Sequence, residues 1–150
     1  MIRRIVAAAS TVVAALGVTM ALATPADAAG GIRITGVYYD SPGKDTGSNT
    51  SLNAEWVRLK NTSGHAITLT GWRLHDRGVD HKYVFPSYRL GAGATVRIHT
   101  GRGSRTKQNL YWGLRWYVWN NTGDKAYLNN SHGTRIDTCS WGDGSGYKSC

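Results

Sequence analysis

The chain has 150 residues, with 18 Lys+Arg against 9 Asp+Glu, a formal net charge of +9 and two cysteines. That length leaves room for one domain of ordinary size, and the positive balance points to polyanionic partners or to solubility alone, not to any particular fold. The sequence contains no phosphate-binding loop, dinucleotide fingerprint or Gly-x-Ser-x-Gly elbow, so it offers no motif for a nucleotide-dependent enzyme or an α/β-hydrolase.

Arg3 and Arg4 precede an uncharged run from Ile5 to Leu22, and Ala26-Asp27-Ala28 puts small residues where a signal peptidase reads. This predicts a secretory signal over residues 1–28 and a mature domain over residues 29–150, secreted as a soluble monomer. A membrane anchor is the competing reading of the apolar run. The small-residue site, the Ala-rich composition and Pro25 favour cleavage, and no second apolar run follows, so no transmembrane segment is expected in the mature chain.

From Gly30 onward the pattern is short strands and turns without a helix. Ile32, Ile34 and Val37 predict a first strand with a bulge at Gly36, turned at Ser41-Pro42-Gly43. Residues 44–53 are polar and read as a long loop. Trp56 to Lys60 alternates, with Val57 and Leu59 on one face and Arg58 and Lys60 on the other, as in a half-buried strand. Ile67 with Leu69, Trp72 with Leu74, Tyr83 with Phe85, and Val96 with Ile98 predict further strands. Residues 101–110 form a basic loop, and Tyr117–Trp119 reads as another strand. Gly123–Leu128 and Gly133–Asp137 read as a hairpin around Asn129–Gly133. Strands at this spacing, broken by Gly, Asn and Asp, predict an all-β antiparallel sandwich or barrel.

Cys139 and Cys150 form an even pair in a chain expected outside the cell, which predicts a disulfide closing the short Trp141–Tyr147 loop. Zinc is the competitor, but two thiols without neighbouring histidines make a poor site. Most of the six tryptophans are expected to pack in the core.

Glu55-Trp56-Val57-x-Leu59-x-Asn61, Leu69-x-Gly71-Trp72-x-Leu74-x-Asp76, Phe85-Pro86, Leu90-x-x-Gly93 and Val96 occur in this order. They are followed by Val118-Trp119-Asn120-Asn121-x-Gly123-Asp124-x-Ala126-x-Leu128 and Gly133-x-x-x-Asp137. This series, over about residues 31 to 141, resembles the lamin tail domain family, in its small exported bacterial form. The resemblance implies an immunoglobulin-like β-sandwich that works by binding. Many relatives carry a second acidic residue where this chain has Arg58, so any property of that strand that needs the carboxylate is in doubt here.

The functional candidates lie over residues 97–117. Arg102, Arg105 and Lys107 are followed by Tyr111, Trp112, Arg115 and Trp116, a mixture that can hold phosphates and stack bases. The expected ligand is a polyanion, either DNA or an anionic wall polymer. A polysaccharide stacked on the aromatic rings, or a protein partner on a sheet face or edge, are the alternatives, and a mobile basic loop beside buried tryptophans would bind nothing. No catalytic residue is assigned: His65, His75, His81, His99 and His132 are scattered, although His75 and His81 flank a turn and leave a small hydrolase as the weakest reading. Asp40, Asp45 and Asn49 fit no calcium-loop spacing, and neither a cofactor nor a metal is expected.

Overall fold

The structure is a computed structural model that describes residues 31–78 and 80–150. The leader expected over residues 1–28 lies outside the described residues. Among the described residues, eleven strands and one short helix follow in chain order: β1 (Ile32–Tyr38), α1 (Asn49–Ala54), β2 (Trp56–Asn61), β3 (Ile67–Thr68), β4 (Arg73–His75) and β5 (Lys82–Val84). Then come β6 (Arg89–Leu90), β7 (Thr95–His99), β8 (Asn109–Tyr111), β9 (Gly123–Asn129), β10 (Arg135–Gly142) and β11 (Tyr147–Ser149). Among the described residues, no helix is long and apolar enough to cross a membrane.

Two sheets carry the fold, as the alternating sequence pattern predicts. One has the order β11-β1-β2-β7-β8, the other β10-β9-β4-β5, and β3 pairs with β6 in a separate ribbon. Val57 and Leu59 of β2, Val96 and Ile98 of β7, and Leu110 of β8 turn inward. Leu74, Ala126, Leu128 and Trp141 from the second sheet share the same core. Each Val, Leu or Ile side chain so buried contributes about 1.5–3 kcal/mol relative to exposure. The all-β sandwich is consistent with the immunoglobulin-like arrangement implied by the resemblance.

Three local features differ from the sequence expectation. Residues 49–54 are helical, because the Ser48 side chain accepts the Ser51 N–H at 3.3 Å and starts the turn. The pairing is not wholly antiparallel: β8 runs parallel to β7, reached through residues 100–108. Tyr117–Trp119 is not a strand. Its backbone is held instead by the buried Glu55 carboxylate, which accepts from the Val118 N–H at 2.9 Å, the Trp119 N–H at 3.2 Å and the Thr100 hydroxyl at 2.6 Å.

The predicted bulge falls between Ile34 and Gly36, and the predicted hairpin is β9–β10. Cys139 and Cys150 are disulfide-bonded, with a Cα–Cα distance of 5.9 Å. The bond ties β10 of one sheet to the end of β11 in the other. All three residues of β11 are exposed, so burial does little to hold this edge strand. Pairing to β1 and the disulfide hold it in place.

Candidate functional site

Residues that alternate with the core positions of the five-stranded sheet form its outer face. Strand register places Tyr147 opposite Tyr38, Tyr38 opposite Trp56, Trp56 opposite His99, and His99 opposite Tyr111. One row of rings therefore crosses all five strands. Ring centroids are 6.0 Å apart for Tyr38–Tyr147, 5.7 Å for Tyr38–Trp56 and 5.1 Å for the stacked His99–Tyr111 pair. Gly36 leaves the space for this arrangement: a Cβ there would lie 2.7 Å from the Tyr147 hydroxyl.

A row of cations runs alongside. Arg58 of β2 faces Arg97 of β7, and Arg33 of β1 faces Lys60 of β2. The Arg58 guanidinium donates to the Thr35 hydroxyl and carbonyl, each at 3.0 Å, and to the Tyr147 hydroxyl at 3.3 Å. Arg97 lies over the Trp56 ring, 4.9 Å from its centroid. Among the described residues, only Arg33 of all the lysines and arginines makes an ion pair, 3.9 Å from Asp137. The other cations of this face are balanced by no carboxylate.

The basic surface continues past the sheet. Thr95, opposite Lys60, lines a cleft of about 570 Å³ together with Tyr88, Arg89, Lys107 and Gln108. A second cleft of about 630 Å³ shares Tyr88, Arg89 and Lys107 and adds Arg105 and the hydroxyls of Thr68, Thr70 and Ser87. Tyr88 is fixed between them, its hydroxyl donating to the Lys107 carbonyl at 2.6 Å while Arg105 sits 5.9 Å from its ring. Burial raises the Tyr88 phenol above its ordinary value despite the opposing Arg105 charge, which keeps it a neutral donor.

The residues singled out from sequence separate into four settings. Arg105 and Lys107 share the cleft just described. Tyr111 joins the ring row. Trp112 is partly buried against the core, 5.8 Å from Tyr83 and 6.0 Å from Trp119. Arg102, Arg115 and Trp116 line neither basic cleft. The Arg102 backbone is bonded to Asn49 and Asn53 of α1, and Arg115 is exposed. Trp116 borders a separate cleft with Asp45 and Asp76.

Sequence reading did not group Tyr38, Trp56, Arg58, Lys60, Arg97 and Tyr147 on one face. The signal was present in Trp56-Val57-Arg58-Leu59-Lys60, where the alternation that buries Val57 and Leu59 must present the other three on one face.

The histidines of the hydrolase reading are engaged separately. His75 stacks on Tyr127 and bonds the Asp76 carbonyl at 2.7 Å, whereas His81 meets the Asp76 carboxylate at 2.9 Å. Asp40 and Asp45 both accept from Asn121, while Asn49 turns to the Arg102 backbone. Among the described residues, no three His, Cys, Asp or Glu side chains are grouped to hold a metal ion.

Two sheets around one core, one of them with an aromatic and cationic outer face, make a β-sandwich. Residues 25–143 match the Lamin Tail Domain family, and the chain belongs to that family. No curated protein matches the chain.

Proposed function

We propose that this protein is an exported, non-catalytic module that binds polyanions on the outer face of its five-stranded sheet, with the Arg89–Arg105–Lys107 clefts as an extension. Arg58, Lys60 and Arg97 carry the reading: three cations beside a row of rings, with no carboxylate to neutralise them. Cations positioned only for solubility need no aromatic neighbours and no common face. Phosphates or uronates would replace the missing counter-charges, and the rings would stack on bases or sugar faces. The lamin tail domain family supports a binding module, and the strongly positive chain supports an anionic ligand.

Contacts of this kind are driven by counterion release, at a salt slope of about −0.9 per duplex phosphate. Arg58, Lys60 and Arg97 alone therefore give a slope of about −3 on duplex DNA. The test is binding of the purified protein to double-stranded DNA and to an anionic wall polymer across a salt series. The double variant Arg58→Glu/Arg97→Glu is expected to abolish binding, and Arg102→Glu/Arg115→Glu to leave most of it. The opposite order would move the site to the 101–117 segment, and no binding at low salt would refute the proposal.

A further inference from the structure

Trp116 is the most exposed large apolar side chain among the described residues, at 65%. It borders a cleft of about 360 Å³ whose polar lining is Asp45, Asp76, His81, Asn120 and Asn121. The indole is held in place: a Cβ on Gly47 would lie 2.8 Å from it, and Tyr117 packs edge-on at 5.6 Å. Acidic residues line this cleft, so it is unsuited to the polyanions that the sheet face would take.

The hydrogen-bonding state of the cleft is one-sided. Asn120 Nδ2 donates to Asp124 at 3.1 Å, and Asn121 Nδ2 donates to Asp40 at 2.9 Å and Asp45 at 3.3 Å. The carboxylates thus fix both amide orientations and leave the amide oxygens as acceptors. Asp76 is 8% exposed, and its Oδ2 is taken by His81 at 2.9 Å. Its Oδ1 is buried and has no hydrogen-bond partner. A buried carboxylate oxygen without a donor is costly, and the usual remedy is a partner that brings one.

The site therefore offers acceptors, negative charge and one flat apolar ring. Its complement is a ligand rich in donors, positively charged, with a C–H face to lie on an indole. We infer that this cleft binds an amino sugar unit, with its ammonium beside the exposed Asp45 and the neighbouring Asp76 carboxylate, its hydroxyls on the asparagine oxygens and its pyranose face on Trp116. A lysine side chain would satisfy the carboxylate and the ring but leave the asparagine oxygens unmet. An N-acetylated sugar would bring no charge to Asp76.

The test titrates the purified protein with three probes: a fully deacetylated glucosamine tetramer, its N-acetylated counterpart, and N-acetyl-lysine amide. Calorimetry and tryptophan fluorescence report binding. The deacetylated tetramer is expected to bind at least about tenfold more tightly than either of the others, as a charged hydrogen bond should contribute. Trp116→Ala, at an exposed position, should abolish binding without affecting the melting transition. Asp76→Asn should weaken it at least about tenfold, whereas Arg97→Glu should leave it unchanged. The inference is overturned if the deacetylated tetramer does not bind, if either other probe binds as tightly, or if Trp116→Ala retains binding. These outcomes are independent of polyanion binding on the sheet face.

Discussion

Arg58 and Arg97 stand directly opposite each other on β2 and β7, with no carboxylate to offset them. Like charges at facing positions of an antiparallel pair destabilise it by roughly 0.2–1 kcal/mol. Arg97→Glu converts the pair to an attractive one but loses the contact with Trp56, worth about 0.5–1 kcal/mol at an exposed site. The two effects nearly cancel, so chemical denaturation should show stability unchanged within about 1 kcal/mol. Polyanion affinity at low salt should nevertheless fall, with the salt slope shallower by about one. A loss of affinity that tracked a loss of stability would show that Arg97 only supports the fold.

Glu55 gives the fold a pH dependence. Burial pushes its carboxyl up to about 7 from an ordinary 4.5, outweighing the three donors that favour the anion. A raised folded-state value means that the folded protein holds this proton more tightly than the unfolded chain. The stabilisation is complete below about 4.5 and is lost as pH rises through about 7. Glu55→Gln cannot titrate. The stability difference between variant and wild type, measured by urea denaturation, should move in favour of the variant between those two values and be flat outside them.

Asn61 is buried at the end of β2. Its amide donates to the carbonyls of His65 at 2.7 Å and of Leu90 and Gly91 at 3.0 Å each, and its oxygen accepts from the Ser63 N–H and hydroxyl. Replacing it with Ala strands several of these groups, at about 1–3 kcal/mol for each buried group left unmet. Asn61→Ala is expected to cost at least about 3 kcal/mol in thermal or chemical unfolding. Asn61→Asp should be little better, because a carboxylate would face three carbonyls.

Breaking the Cys139–Cys150 bond should affect both stability and binding. Closing a loop of this size contributes about 2–4 kcal/mol. It also holds β11, which carries Tyr147 onto Trp56 and Tyr38. The Cys139→Ser/Cys150→Ser protein should melt at a lower temperature and bind polyanions more weakly. The Tyr147→Ala protein, with the bond intact, should reproduce the binding loss without most of the thermal loss.

Much of the architecture was legible because single local rules decided it. The alternation of β2, the bulge at Gly36 and the glycine-rich turn before β10 each follow from side-chain period or backbone permissiveness. The helix at 49–54 was not legible, since only Leu52 of it is buried and its start depends on one serine side chain. Val118 and Trp119 have strand-forming side chains, yet a carboxylate some sixty positions earlier takes their amides, which no local pattern records. The basic and aromatic character of the site was visible. Which basic and aromatic side chains share a face was not, because only packing sets Trp112 partly buried against the core and leaves Trp116 exposed.

The ring row has unlike ends. At Tyr147 it reaches the edge of the sheet, whereas at Tyr111 it meets the backbone of Gly103, where even a Cβ would lie 2.3 Å from the ring. A ligand following the ring row, as we propose for a polyanion, would meet an open strand edge at Tyr147 and a close backbone at Tyr111, so the two ends of the face are not equivalent.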